Sequence, residues 1–235
     1  MTKSRIRSVL LGSLLTVLVP LGAYWYLKSN GYNGRVPLPK HYGIAKIVDV
    51  KKGDNVVKDT LYRVLQDLRL VNQLGDSVSL NSDLKGKMLI VNFFFTNCTT
   101  ICPVMSHNMQ KLVKALKKED SILQFISISV DPENDSVPRL RDYANRLGVN
   151  HDTWYFMTGN KSAIYNYART ELELKVPQAP KEGNDFIHPE QFVLIDKYRN
   201  IRGYYNGLDS NKVRQCAEDV AYLMVEKNSE HERKK

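Results

Sequence analysis

Met88–Phe95 reads MLIVNFFF, an almost unbroken apolar run in the middle of the chain. A strand that is buried on both faces of a sheet has this composition. Thr96 and Asn97 end the run, and an apolar stripe with helical spacing then predicts a helix from about Pro103 to Lys118. The residues of that stripe are Met105, Met109, Leu112, Val113 and Leu116. The chain therefore passes from a central strand almost directly into a helix.

The same alternation of strands and helices continues on both sides of this unit. Leu123–Val130 predicts a second buried strand, and Ser136 is placed to cap a helix that runs to about Leu147. The shorter predicted elements are a hairpin over 67–80, a strand over 154–157, a helix over 161–170, a strand pair over 191–205 and a final helix over 212–225. Strands that alternate with helices indicate an α/β domain in which helices flank a central sheet.

The net charge is the second global feature of the sequence. The 235 residues include 34 lysines and arginines against 25 aspartates and glutamates, a net charge of +9. A surplus of this size raises the question of nucleic-acid binding. Residues 53–225 nevertheless contain 21 charges of each sign, so the surplus lies entirely in the flanks of the chain. We therefore expect no nucleic-acid-binding face on the folded domain.

The N-terminal segment predicts a membrane anchor. Residues 8–27 (SVLLGSLLTVLVPLGAYWYL) carry no charge and are long enough to span a membrane as a helix. A cleaved signal peptide is the alternative, but its apolar region is normally shorter. The predicted organisation is a cytoplasmic N-terminus (1–7), a transmembrane anchor (8–27), a stalk (28–60), a domain (61–225) and a charged tail (226–235). One strand is predicted within the stalk, over 44–50. We expect a single-pass protein of a bacterial inner membrane, with the domain in the periplasm.

Two of the three cysteines lie where the central strand passes into the helix, in the sequence NCTTICP at 97–103. Both sulfurs are then close to a helix N-terminus, whose dipole favours thiolate over thiol. Cys102 shares a helix face with Met105 and Met109, so we expect Cys102 to be buried and Cys98 to be exposed. The third cysteine, Cys216, lies on the apolar face of the last helix and is interpreted as a core residue.

The spacing of the pair is C-x-x-x-C. One helical turn separates two Cβ atoms by about 5–6 Å, whereas a disulfide needs about 3.5–4.5 Å. A loop at Cys98 would close that gap, and two thiolates each about 2.3 Å from one metal ion tolerate the wider separation. The pair therefore favours a metal site that can also be oxidised, with a purely structural disulfide as the alternative. Soft thiolates select copper(I), zinc or iron–sulfur clusters.

Two thiolates do not complete a metal site, and histidine is the obvious third donor. Four of the five histidines lie in less suitable places, namely the stalk, the far side of the helix, a turn and the tail: His41, His107, His151 and His231. His188 follows a polar loop and stands just before the predicted strand Gln191–Ile195. The position at the mouth of a strand favours His188 as the third ligand.

Together these features resemble the Sco/SenC family of membrane-anchored copper proteins, which have a thioredoxin-like fold. The resemblance covers about residues 61–225 and rests on VNFFF at 91–95, the cysteine motif, SISVDPEND at 127–135, and His188 ahead of FVLID at 192–196. It implies a thioredoxin-like domain in which Cys98, Cys102 and His188 bind one copper ion, as Cu(I) or Cu(II). Pro189 departs from the family, which usually has a small polar residue after the histidine.

The resemblance implies a copper chaperone for the binuclear copper centre of cytochrome oxidase subunit II, with that subunit or another periplasmic copper protein as its partner. The alternative is a periplasmic thiol–disulfide oxidoreductase, in which Cys98 attacks a disulfide and Cys102 resolves the intermediate. A thiol peroxidase is a third hypothesis.

Asp131, Glu133 and Asp135 suggest a calcium loop, but the turn glycine and the terminal glutamate of such a loop are missing. We interpret these acids as turn and capping residues.

Overall fold

The computed structural model describes residues 3–29, 39–52, 55–119, 121–175 and 189–226. The chain divides into two compact units between residues 37 and 38. The first unit contains helix α1, Lys3–Ser29, which includes the segment predicted to be helical. Within the described part of the chain, no helix is both long enough and apolar enough to cross a membrane. The transmembrane anchor therefore stays a prediction.

The second unit begins with a separate two-stranded sheet. Strand β1, Ile44–Lys52, runs antiparallel to strand β2, Asn55–Tyr62, with Val50 opposite Val57. The strand predicted over 44–50 is thus present and slightly longer. Its partner β2 was not predicted, because its sequence lacks a clean apolar alternation and lies mostly in the segment interpreted as a stalk.

A seven-stranded sheet forms the body of this unit. Its strands are β3 (Arg69–Asn72), β4 (Ser77–Ser79), β5 (Met88–Phe94), β6 (Leu123–Ser129), β7 (Trp154–Thr158), β8 (Gln191–Ile195) and β9 (Ile201–Asn206). The spatial order is β4-β3-β7-β6-β5-β8-β9. The three central strands β5, β6 and β7 are parallel, and the outer pairings are antiparallel. The predicted α/β class is confirmed.

Within the described residues, four α-helices accompany the sheet. They are α2 (Cys102–Ala115), α3 (Val137–Leu147), α4 (Lys161–Asn166) and α5 (Ser210–Val225). The helix predicted over 161–170 changes to a π-helical turn at Tyr167–Glu171. Ser136 occupies the N-cap position of α3 with an extended backbone, but its side chain makes no capping hydrogen bond, so the predicted cap is wrong in that respect. Asp209 does cap α5, accepting from the backbone of Asn211 and Lys212.

All seven residues of β5 are buried, because the sheet is covered on both faces. Ile90 and Phe94 pack into the core shared with α2, α3 and α5, whereas Val91 and Phe93 pack into the core on the opposite face. An apolar run without alternation is therefore the pattern expected of this strand. Beyond the strand end, Val130 N donates to Phe94 O at 2.9 Å, so the carboxyl ends of β5 and β6 lie side by side. Ligand sites of parallel sheets form at such ends.

Candidate metal centre

The loop from Phe95 to Ile101 carries the cysteine motif from the carboxyl end of β5 to the first turn of α2. Cys98 N donates to Phe95 O at 3.2 Å, which turns the chain immediately after the strand. Helix α2 begins at Cys102, and Pro103 stands in its first turn, where the missing N–H costs no hydrogen bond. The predicted junction is confirmed, and it places Cys98 in the loop and Cys102 in the helix.

The two cysteines are adjacent, reduced and unequally buried. Cys102 is 1% exposed, as predicted, whereas Cys98, which was predicted to be exposed, is half-buried. Cys102 N donates to Cys98 Sγ at 3.4 Å, so the first amide of the helix points at the outer sulfur. Thr100 Oγ1 lies 3.8 Å from the same sulfur. The Cys102 amide that donates to Cys98 Sγ, with the Thr100 hydroxyl beside it, therefore stabilises a negative sulfur.

The same geometry separates the acidities of the two thiols. Partial burial raises the pKa of Cys98, but hydrogen bonds from Cys102 and Thr100 outweigh it, and the net pKa lies below the ordinary value. Burial and the contact with Cys98 raise the pKa of Cys102 far above that of an ordinary thiol. The expectation that the helix terminus favours the thiolate at both sulfurs is therefore wrong for Cys102, because desolvation outweighs the dipole there. Cys98 is therefore the more acidic thiol of the pair.

A buried carboxylate lies behind the loop, and sequence reasoning did not assign it to the site. Asp135 is 0% exposed and accepts from Thr96 N at 3.2 Å and from Thr96 Oγ1 at 2.5 Å. Asp131, the first acid of the same turn, instead accepts from Asn134 Nδ2. The interpretation as turn residues therefore fits Asp131 but misses Asp135. The available signal was that Asp135 and Thr96 follow neighbouring strands.

Helix α3 supplies the other wall of the site. Ser106 Oγ lies one helical turn beyond Cys102 and 3.0 Å from the hydroxyl of Tyr143. Burial is the main cause of a raised pKa at Tyr143, and the nearby thiols add to it. Arg139 donates to Asn97 Oδ1, next to Cys98. Polar contacts from α3 thus reach both the start of the loop and the first turns of α2.

The third predicted ligand, His188, lies outside the described residues. The next described residue along the chain is Pro189. Directly after it, Glu190 O accepts a hydrogen bond from Gly207 N at 2.6 Å. Within the described part of the chain, no group of three histidine, cysteine or acidic side chains is arranged to hold a metal ion. The structure therefore brings together two of the three predicted ligands, Cys98 and Cys102.

The other histidines and the third cysteine lie elsewhere in the fold. His151 Nδ1 lies 3.1 Å from Gln73 Nε2, and His151 Nε2 lies 3.0 Å from Asn145 Oδ1. The ring of His41 stacks on Tyr62. His107 is exposed on α2. Cys216 is 0% exposed within the core beneath α5, as predicted. The described contacts of His151 and His41 are thus with residues other than the two thiols.

Two reduced thiols of unequal acidity can perform two kinds of chemistry. They can share one soft metal ion, because Cys98 ionises readily and a metal displaces the proton of the second thiol. They can also react with a disulfide, because the more accessible sulfur can attack and the buried one can resolve the intermediate. The geometry alone is compatible with both.

Comparison with known proteins selects the family. The chain matches the family model SCO1/SenC over residues 58–224. The SCO1 protein homolog of Bacillus subtilis (strain 168) is 36% identical over 169 residues, which cover 72% of this chain and 86% of the relative. BsSco, described as a member of the Sco family of cytochrome c oxidase assembly proteins with a disulfide switch, is 33% identical with a TM-score of 0.60. That match covers 72% of this chain and 99% of BsSco.

A more distant structure has the same architecture. ScoI of Bradyrhizobium japonicum, solved with copper bound, has a TM-score of 0.56 over 68% of this chain and 99% of ScoI. At 22% identity this likeness shows the fold alone. The mixed α/β fold is the thioredoxin-like fold of Sco structures, as the sequence predicted. The family model and the Bacillus relative both span most of the second compact unit, and the chain therefore belongs to the SCO1/SenC family.

Proposed function

We propose that this chain binds one copper ion through Cys98, Cys102 and His188 and delivers it to the binuclear copper centre of cytochrome oxidase subunit II. The observation that carries the proposal is the reduced thiol pair at the carboxyl end of β5, with the backbone amide of Cys102 directed at Cys98 Sγ at 3.4 Å. Membership of the SCO1/SenC family, and the description of BsSco as an oxidase assembly protein, support the target.

The donor set suits copper as a cargo. Thiolate sulfur is a soft ligand that prefers Cu(I), and imidazole extends the set to Cu(II). Copper binding releases the protons of both thiols, so the affinity rises with pH. The half-buried position of Cys98 leaves one ligand accessible to an incoming partner, which is what transfer between proteins requires.

The second candidate function is thiol–disulfide exchange with a protein disulfide. The observation that favours it is the unequal acidity of the two thiols, since a low pKa suits the attacking sulfur. Cys98 thiolate would attack the partner disulfide and release one partner thiolate. Cys102 would then lose its proton to solvent and attack Cys98 Sγ, forming the internal disulfide and releasing the second partner thiolate. The disulfide switch described for BsSco supports this candidate.

The proposed location is the periplasmic face of a bacterial inner membrane, with residues 8–27 as the anchor. The support is the uncharged run in the sequence and the helical backbone of α1. Membrane fractions of cells that express the full chain should retain the protein after carbonate extraction. A chain that starts at residue 28 should be released from the same membranes. Release of the full chain would contradict the anchor.

Copper titration tests the main function. The reduced protein should bind one equivalent of Cu(I) in competition with bicinchoninate, and Cys98→Ser or Cys102→Ser should abolish that binding. His188→Ala should weaken Cu(II) binding and change its absorption spectrum, whereas the matched control His107→Ala should leave both unchanged. Undiminished stoichiometric binding by Cys98→Ser would exclude the copper site.

Reduction of a disulfide substrate by the metal-free protein tests the second candidate. Equal reduction rates for the unaltered protein and for His188→Ala would favour the oxidoreductase. Loss of that turnover in Cys98→Ser, with copper binding absent from the unaltered protein, would make exchange the main function.

A further inference from the structure

Asp135 carries a carboxylate that is fully enclosed, directly behind the cysteine loop. Three donor groups face it, from two residues: Thr96 N at 3.2 Å, Thr96 Oγ1 at 2.5 Å and Ser129 Oγ at 2.5 Å. A buried carboxylate without donors is strongly unfavourable, and charge-assisted hydrogen bonds are among the strongest in proteins. The three contacts therefore hold the carboxylate and its partners in one arrangement.

The sheet topology explains why these residues meet. Ser129 is the last residue of β6, and Thr96 follows the end of β5. The two strands are parallel neighbours, with Phe94 opposite Ser129 in the register. The turn after β6 then brings Asp135 back between the two strand ends, where its carboxylate joins them.

The connection from Asp135 to the thiols passes through the loop. Thr96 stands two residues before Cys98, whose backbone N donates to Phe95 O. A fixed Thr96 thus fixes the start of the turn that places Cys98 Sγ against the backbone of Cys102.

We propose that Asp135 is a positioning residue for the thiol pair: by holding Thr96, its carboxylate keeps Cys98 Sγ next to Cys102 and so raises the effective concentration of one thiol at the other. The proposal rests on the proposed function in one respect, namely that Cys98 and Cys102 act as a pair. It adds a residue that touches neither the metal nor a substrate.

Two variants of Thr96 separate position from charge. Thr96→Val removes the hydroxyl that donates to Asp135 but leaves the carboxylate in place. Thr96→Ser keeps a hydroxyl and serves as the conservative rescue. Asp135→Asn removes the charge together with the contact, and Asp131→Asn is the matched control, since Asp131 is also buried but accepts from Asn134.

The measurement is the equilibrium of the metal-free pair with glutathione. Oxidation converts the two thiols and one glutathione disulfide into the Cys98–Cys102 disulfide and two glutathione molecules. A looser loop lowers the effective concentration of Cys98 at Cys102, so the disulfide forms less readily. We expect Thr96→Val and Asp135→Asn to lower the equilibrium constant for disulfide formation by about threefold to tenfold. Thr96→Ser and Asp131→Asn should stay within about twofold of the unaltered protein.

Unfolding measurements on the oxidised and reduced forms exclude a purely structural role. A residue that only stabilises the fold would lower the unfolding free energy of both forms equally and leave the glutathione equilibrium unchanged. Thr96→Val keeps the proposal testable if Asp135→Asn does not fold. An unchanged equilibrium constant in Thr96→Val, or an equal decrease in Thr96→Ser, would overturn the proposal.

Copper binding provides a second test, which does not depend on thiol–disulfide exchange. If the unaltered pair forms no disulfide with glutathione, the oxidoreductase candidate fails and the positioning role is decided by Cu(I) competition against bicinchoninate. Thr96→Val should then weaken Cu(I) binding by about threefold to tenfold, with Thr96→Ser unaffected. Equal Cu(I) affinities in Thr96→Val and the unaltered protein would refute the positioning role, while copper binding itself would stand.

Discussion

Asn108 Nδ2 donates a 2.7 Å hydrogen bond to the carbonyl oxygen of Gly207, which joins the helix that begins at Cys102 to the turn between β9 and α5. Asn108 is 3% exposed, and its Oδ1 accepts from Lys111 Nζ at 3.1 Å. Gly207 N donates in turn to Glu190 O, just before β8. The thiol helix is thereby tied to the point where the chain enters β8.

Removal of the Asn108 amide should destabilise the domain. In Asn108→Ala the carbonyl of Gly207 loses its donor, and an unsatisfied buried polar group costs about 1–3 kcal/mol. Urea denaturation followed by circular dichroism measures the change. Asn211→Ala, at an exposed position on α5, is the control and should cost less than about 0.5 kcal/mol. Equal stabilities of the two variants would contradict the role of Asn108.

Gly207 should tolerate no side chain, because of its close neighbours. A Cβ at this position would lie 2.9 Å from Phe192 Cε1 and 3.0 Å from Met105 Cε. Phe192 is a fully buried ring that cannot move aside easily. We expect Gly207→Ala to lower the unfolding free energy by about 1–3 kcal/mol, as overpacking does.

A double-mutant cycle tests that cause. Phe192→Leu should cost less in the Gly207→Ala background than alone, because the smaller side chain relieves the contact. Additive costs would show that the ring is not what excludes the side chain.

Loss of the buried Arg202 side chain should destabilise the domain. This side chain is 2% exposed, and its Nη1 lies 3.2 Å from Asp196 Oδ2 and 2.7 Å from Glu226 Oε2. Arg202→Ala leaves the buried Asp196 without this cation, and breaking a buried pair costs about 3–5 kcal/mol. Arg214→Ala, which breaks the exposed pair with Glu218, should cost at most about 1 kcal/mol. Thermal and urea unfolding of both variants check the difference.

Alkylation should distinguish the two thiols of the site. Iodoacetamide should modify Cys98 well before Cys102, and the pH midpoint of the Cys98 reaction should lie below that of an ordinary thiol, because hydrogen bonds lower its pKa. Mass spectrometry of the modified protein over a pH series measures both rates. Thr100→Val should move the midpoint upward, whereas Thr99→Val, at the exposed neighbour, should not. A faster reaction at Cys102 would contradict the assignment.

The opposite shifts also give opposite effects on stability. The pKa of Cys98 is lower in the folded state, so its contribution is present above the ordinary thiol pKa and is lost as pH falls through the folded pKa. The pKa of Cys102 is raised, so its contribution is present below the ordinary value and is lost only as pH rises to its folded pKa. Cys98→Ser should therefore remove a rise of the unfolding free energy with pH just below the ordinary thiol pKa, and Cys102→Ser should remove a fall of that free energy above it. Parallel curves would be inconsistent with the structure.

Most elements could be predicted from the sequence, because their signals are local. The apolar run of β5, the stripe of α2 and the apolar face of α5 each reflect burial of a whole strand or of one helix face. The burial of Cys102 follows from the same helical spacing, since it shares a face with Met105 and Met109. Strand β2 was missed because its strongest constraint is its pairing with β1, which a single segment does not reveal.

The sequence by itself determined the α/β class, the junction that holds both cysteines and the resemblance that names the family. Only the tertiary structure decided how Cys98 and Cys102 differ in acidity, because desolvation and the direction of the Cys102 amide depend on the packed loop. Only the structure placed Asp135 behind Thr96, 39 residues away along the chain. The physical reason is that parallel neighbours bring the ends of distant strands together, and hydrogen bonds form between whichever residues meet there.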